Sequence, residues 1–177
     1  MKLDYILFFD GYRNTNKLKH LFEHAFPLVE RPPFSWMLNL DKNKLFAVED
    51  NNEFIGLISI VEYQDLVYIF FLAVKKRFRG KGYGSRILKD TLSKYHDKRV
   101  FLLAEDPDIA SNNAEERNNR IKFYSHNGLN KTDLKVCEYG VEYVGLTSGG
   151  FVSKDEFLGV MEYLLGDYYS IYQKNVY

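Results

Sequence analysis

The sequence offers a single cysteine, Cys137, which excludes a disulfide within the chain and an all-cysteine zinc site. Neither charge is in surplus: 24 lysines and arginines face 24 aspartates and glutamates. Without an excess of cations to neutralise phosphates, no nucleic-acid partner is expected. Long hydrophobic runs are missing as well. The most apolar uninterrupted run, Leu66–Val74, spans nine residues, less than half of the ~20 that a membrane helix needs. Near the start, Tyr5–Phe9 is short and follows Asp4, unlike a secretory signal. These absences predict a cytoplasmic protein with no membrane partner. In that compartment the glycosylation sequon Asn130-Lys131-Thr132 is a chance match.

What is present is ordinary in bulk and unusual in one respect. A length of 177 residues corresponds to one domain, given ~150 residues per domain. Hydrophobic and charged shares of 46% and 27% fit a globular chain. The aromatic share is high at 16%, with 14 Tyr and 14 Phe, which points to a thick core or an aromatic-lined cleft.

The hydrophobic pattern predicts a strand over Leu3–Phe9 and a helix carrying Leu18, Leu21, Phe22 and Ala25. Pro27 ends that helix, and Pro32-Pro33 starts a short second one through Trp36, Met37 and Leu40. Leu45–Val48 and Phe54–Tyr63 read as strands joined at Glu49–Asn52, followed by the buried-type strand Leu66–Val74. Then the pattern changes to strand–helix–strand. A glycine-rich turn leads into a helix with Ile87, Leu88, Thr91, Leu92 and Tyr95 on one side, and Val100–Ala104 is the next strand. Ser111, Asn112 and Asn113 offer caps for a helix through Ala114, Arg117, Ile121 and Tyr124, which stops at Asn127-Gly128. Thr132–Glu138 and Val141–Thr147 form a hairpin around Tyr139-Gly140. Ser153–Glu156 is a capping box before a last helix with Phe157, Met161, Leu164, Leu165, Tyr168 and Tyr172. The sum is an α/β (α+β) fold with a single mixed, mostly antiparallel sheet of about seven strands and helices on both faces. Residues 1–150 form the domain; residues 151–177 form a helical extension packed on it, whose tyrosines suit core or homodimer packing.

Chemistry concentrates in one stretch, Leu72-Ala73-Val74 followed by Lys75-Lys76-Arg77-Phe78 and Arg79-Gly80-Lys81-Gly82-Tyr83-Gly84-Ser85-Arg86. A buried strand, alternating glycines and a helix start make an anion cradle, because glycine admits close backbone approach and a helix N-terminus carries partial positive charge. Lys75, Lys76, Arg77, Arg79, Lys81 and Arg86 add cations to it, so a di- or polyphosphate is the expected ligand. The spacing is not that of a P-loop, which needs G-x-x-x-x-G-K-[ST]. Nor is it the dinucleotide fingerprint, whose third glycine position is Ser85 here.

The stretch does match R-x-x-G-x-G at Arg79, Gly82 and Gly84, and there it resembles motif A of the GCN5-related N-acetyltransferases (GNAT). Arg120 to Leu129, with Phe123-Tyr124 and Gly128-Leu129, is similar to the later helix of that family, with Leu129 where phenylalanine is usual. Strand and helix order from Leu3 to Thr147 also fits. Glu30–Phe34 and Gly140–Tyr143 are similar to a bacterial subgroup of the family. The resemblance implies a GNAT-like acyl-CoA N-acyltransferase fold with an extra C-terminal helix. It also implies acetyl-CoA as co-substrate, a small amine or peptide amine as acceptor, and no metal. By resemblance, Leu72, Ala73 and Val74 offer backbone groups to the pantetheine and Arg79–Ser85 (Arg79, Gly80, Lys81, Gly82, Tyr83, Gly84 and Ser85) hold the pyrophosphate. Tyr124 matches the residue that protonates the leaving thiolate. The asparagine usual seven residues before that tyrosine is Arg117 here, leaving Asn118 or Asn119 to take over its contact with the pantetheine.

Acyl transfer from a thioester to an amine needs a neutral amine, a donor to the thioester oxygen and a proton for the thiolate. Glu105, ending the strand Val100–Ala104, is a candidate base; Glu62 and a water chain are others. Glu30, Arg31, Trp36 and Tyr143 are candidates for the acceptor wall. Tyr124 also has the simpler reading of an aromatic packed at a helix end. His20-Leu21-Phe22-Glu23-His24 spells H-x-x-E-H, but helical spacing puts His20, Glu23 and His24 opposite Leu18, Leu21, Phe22 and Ala25, on the solvent face. A CoA-binding module without turnover, or a nucleotide-binding protein using the same glycine loop, stands beside the enzyme reading.

Overall fold

A computed structural model describes residues 2–177. Seven strands form one mixed sheet in the order β1-β2-β3-β4-β5-β7-β6, numbered along the chain. They are β1 (Asp4–Leu7), β2 (Asn43–Asp50), β3 (Glu53–Tyr63), β4 (Leu66–Val74), β5 (Arg99–Glu105), β6 (Asn130–Glu138) and β7 (Val141–Ser148). The helices are α1 (Thr15–Ala25), α2 (Phe34–Leu38), α3 (Tyr83–Lys94), α4 (Ala114–His126), α5 (Lys154–Leu165) and α6 (Tyr169–Tyr172). No helix among the described residues is long and apolar enough to cross a membrane. Two compact units divide the chain: Met1–Val61 with Ile69–Thr91, and Glu62–Tyr68 with Leu92–Tyr177.

In the first unit, β1, β2 and β3 run antiparallel, with Ile6 opposite Ala47 and Ala47 opposite Leu57. The apolar stripe of α1, Leu18, Leu21 and Phe22, is buried with Met37, Phe54, Leu57 and Phe71 in an aromatic-rich core. There Phe22 meets Phe71 edge-on at 5.1 Å between ring centres. Asn14 precedes α1 without capping it; its amide donates to Glu49 Oε1 at 2.9 Å instead. Tyr12 donates to the same oxygen at 2.5 Å, and Arg13 pairs with the other. β3 and β4 approach closely at Gly56, where a Cβ would lie 2.3 Å from the Ala73 carbonyl oxygen.

In the second unit, Leu66–Tyr68 pair in parallel with Arg99–Phe101, whereas β5–β7 and β7–β6 are antiparallel. The β6–β7 turn is Tyr139-Gly140, both at positive φ (50° and 81°), a conformation suited to a tight hairpin. The capping box is formed: Glu156 N–H donates to Ser153 Oγ at 3.2 Å and Ser153 N–H to Glu156 Oε2 at 2.9 Å. Arg99 also reaches Glu156, at 2.7 Å. The C-terminal segment is integral to this unit. Phe157 sits edge-on to Tyr68 and Phe101, which stack on one another at 4.7 Å. Beyond α5 the helix breaks at Gly166, where φ is +52°. The last residues then run against β6: Cys137 N–H donates to the Tyr177 carbonyl at 2.8 Å, and Tyr139 N–H to that of Asn175 at 2.9 Å. An edge strand is thereby covered, and Cys137 is a buried small side chain.

Candidate active site

The glycine loop lies in the first unit. β4 ends at Val74, Lys75 N–H still donates to the Ile55 carbonyl at 2.9 Å, and Lys76–Phe78 form one tight turn. Arg79 folds back, its Nε donating to the Val74 carbonyl at 3.0 Å. Gly80 and Gly82 take φ of +72° and +82°, the region that side chains resist and glycine enters freely. The first bond that closes α3 is Arg86 N–H to the Gly82 carbonyl, 2.9 Å. Helix geometry therefore leaves the amides of Tyr83, Gly84 and Ser85 without intrahelical acceptors. No acidic residue occupies that first turn.

Cations crowd the same place. Lys75, Arg77 and Lys81 lie 5.8, 4.7 and 5.7 Å from the centre of the Phe78 ring. Arg77 pairs with Glu53 and Arg86 with Asp90, whereas Lys75, Lys76, Arg79 and Lys81 have no carboxylate at ion-pair distance among the described residues. Burial lowers the pKa of Lys75, and the charges of Arg77 and Lys17 push it the same way. A positive cluster held against its own repulsion beside unpaired amides has the chemistry to receive a polyanion.

Of the acceptor candidates, Arg31 donates from Nε to the Phe26 carbonyl at 3.1 Å and lies over the Phe22 ring. Glu30 precedes it and Trp36 follows within α2, both half-buried. Tyr143 belongs to the second unit, buried on β7 opposite Glu105.

The second unit also carries Tyr124, in the last turn of α4 with its ring beside Phe123 at 5.3 Å. Its carbonyl accepts from Asn127 and Leu129, which closes the helix end. Burial raises the hydroxyl pKa, and the Arg120 charge opposes this. No side chain among the described residues hydrogen-bonds that hydroxyl. It is a protonated, uncommitted donor, as a general acid must be.

Two of the expected residues have surroundings that the sequence did not show. Glu105, the candidate base, is buried at 7% exposure, and both its oxygens accept from guanidinium groups: Oε1 from Arg117 at 2.7 Å and Oε2 from Arg120 at 3.0 Å. It has the geometry of an anchor between β5 and α4 rather than of a free base. Glu62 is engaged similarly, by Tyr95 at 2.8 Å and Lys98 at 3.3 Å. The second is Asn119. At about 100° per residue, Arg117 shares the face of Tyr124 while Asn118 and Asn119 turn away from it. Asn118 bonds back to the Ala114 carbonyl, and both asparagines are exposed. His20 and His24 are exposed as expected and stack on one another at 3.9 Å. The residues that sequence reasoning missed are Asp50 and Glu53, on either side of the β2–β3 turn. Asp50 Oδ2 accepts the Tyr83 hydroxyl at 2.7 Å, and Glu53 pairs with Arg77.

The sheet order together with a glycine loop opening onto a helix defines an acyl-CoA acyltransferase class of fold. Comparison with family models places residues 12–128 within the GNAT acetyltransferase model, and the chain belongs to that family. Among solved structures, a protein from Bacteroides thetaiotaomicron assigned to the GNAT acetyltransferases superposes with a TM-score of 0.77 at 16% identity, over 97% of this chain and 98% of that one. A GNAT acetyltransferase from Elizabethkingia anophelis, solved with acetyl-CoA bound, gives 0.58 at 16% identity over 82% and 97%. Arabidopsis thaliana Naa50, in complex with the bisubstrate analogue CoA-Ac-MVNAL, gives 0.60 at 21% over 85% and 100%. Comparison with curated protein sequences returns no match.

Proposed function

We propose that this protein transfers the acetyl group of acetyl-CoA to a primary amine of a small molecule or peptide, by direct attack within a ternary complex. One observation carries the reading: the amides of Tyr83, Gly84 and Ser85 have no intrahelical acceptor, and they are flanked by four cations with no carboxylate at ion-pair distance among the described residues. Those groups fit a diphosphate, and the acetyl-CoA and CoA-analogue complexes of the structural neighbours support a CoA diphosphate as the ligand. Backbone groups of Leu72, Ala73 and Val74 orient the pantetheine. The amine nitrogen, once neutral, bonds to the thioester carbon; the carbon–sulfur bond breaks, and Tyr124 gives its proton to the departing thiolate. The proton lost by the amine passes to solvent water. Glu105 holds α4, and with it Tyr124, in place. Glu30, Arg31, Trp36 and Tyr143 stand as the acceptor wall.

The engagement of Glu105 and Glu62 favours one rival reading, a CoA-binding module without turnover. Free-thiol release across a panel of primary amines separates the two. An enzyme releases CoA thiol only with its amine present; binding without release for any amine leaves the module. Stabilisation by ATP in place of acetyl-CoA and CoA would remove both.

A further inference from the structure

The donor loop is braced by a turn remote from it in sequence. β2 ends at Asp50 and β3 begins at Glu53, so the turn between them is Asn51-Asn52, both at positive φ (49° and 66°). Asparagine tolerates that region better than most side chains, and two such residues make a tight hairpin. The turn is itself tied down. Asn51 donates to Asp50 Oδ1 at 3.0 Å, and Arg13 donates to Asn52 Oδ1 at 3.2 Å while pairing with Glu49. From this fixed point Asp50 Oδ2 accepts the Tyr83 hydroxyl at 2.7 Å.

Tyr83 is the first residue of α3 and stands between Gly82 and Gly84. Glycines give the loop its shape, but they also make it costly to order. A side chain between them, tethered at its far end, restores the lost definition. Tyr83 is held twice, by the charge-assisted bond to Asp50 and by edge contact with the Phe78 ring at 5.5 Å. The bond to the Asp50 carboxylate also raises the Tyr83 pKa, so the hydroxyl keeps the proton that it donates.

We infer that Asp50 is a positioning residue for the donor: through the Tyr83 hydroxyl it holds the first-turn amides of α3 in the arrangement that receives a diphosphate. This rests on reading the loop as the diphosphate cradle. Asp50 acts on donor affinity and leaves the chemical step alone.

Asp50→Ala, Asp50→Asn, Tyr83→Phe and the double variant Asp50→Ala/Tyr83→Phe test it, with CoA titrated by calorimetry and acetyl-CoA varied in steady state. Asp50→Ala and Tyr83→Phe should each weaken CoA binding and raise KM for acetyl-CoA by about five-fold at constant kcat. The double variant should be no weaker than either single one. Asp50→Asn, whose amide oxygen still accepts the hydroxyl, should recover most of the affinity. Wild-type affinity in both single variants, full additivity in the double, or no recovery by asparagine overturns the inference. Absence of CoA binding by the wild-type protein instead defeats the diphosphate reading. The brace then remains readable by hydrogen exchange of amides 80–85 without ligand. Asp50→Ala should speed that exchange and Asp50→Asn should not; unchanged exchange in Asp50→Ala overturns the brace.

Discussion

Two basic regions of this molecule treat their charge in opposite ways. In the second unit the cations beside Glu105, Asp106 and Asp108 have acidic partners: Arg117 and Arg120 on Glu105, Lys135 on Asp106, Lys131 on Asp108. Asp106 is buried; hydrogen bonds from the Asp108 amide and Lys135 overcome its desolvation and hold its pKa below the usual carboxylate range. In the first unit, Lys75, Lys76, Arg79 and Lys81 lie on or beside the glycine loop with no carboxylate at ion-pair distance among the described residues. Balanced charge fastens one element to another. Unbalanced charge beside unpaired amides awaits a ligand, and a net charge of zero for the whole chain conceals the difference.

Removing a charge from each region should therefore have different consequences. The largest expected effect is in the balanced one. Glu105→Gln strips the carboxylate from Arg117, whose side chain is only 12% exposed, and should cost about 3 kcal/mol in chemical denaturation. Turnover per folded molecule should stay within about three-fold, whereas a loss of roughly 10² would restore Glu105 as the base. Tyr124→Phe comes next, with turnover falling about 10²-fold and CoA affinity kept if its hydroxyl is the acid; unchanged turnover would leave it a packing residue. On the loop, nothing lies within 4 Å of a Cβ built at Gly82, so Gly82→Ala meets only its φ of +82°. The cost is about 1 kcal/mol, seen as a five- to ten-fold weaker CoA titration.

The smallest effect is a pH dependence. Glu156 is held at about 2, against an ordinary 4.5, chiefly by its hydrogen bond from Arg99 and then by Ser153. A lowered carboxylate stabilises the fold above its unfolded pKa and loses that contribution as pH falls through the folded one. Resistance to thermal unfolding should accordingly fall as pH drops from about 4.5 towards 2. Glu156→Gln should flatten that limb; an unaltered limb would assign the acid sensitivity elsewhere.

Much of this was legible in the residue order, because the relevant physics is local. The apolar run Leu66–Val74 is a strand with those limits, and Ser153 with Glu156 makes the capping box that their spacing encodes. The glycine loop was readable for the same reason: strand, turn and helix start are consecutive. What the residue order did not show was which side chains partner one another. Asn113 precedes α4 but makes no side-chain cap. The role of Glu105 turned on Arg117 and Arg120, which hydropathy cannot pair with it. Asp50 and Tyr83 stand 33 residues apart, with no periodicity to link them. The partners of Phe157 in the C-terminal segment, Tyr68 and Phe101, likewise lie far back along the chain.

The most direct measurement is a structure of the protein with coenzyme A. The diphosphate should accept hydrogen bonds from backbone amides within Gly82–Ser85, with Arg79 or Lys81 beside it. Phosphates bound anywhere else on the chain would contradict the central claim.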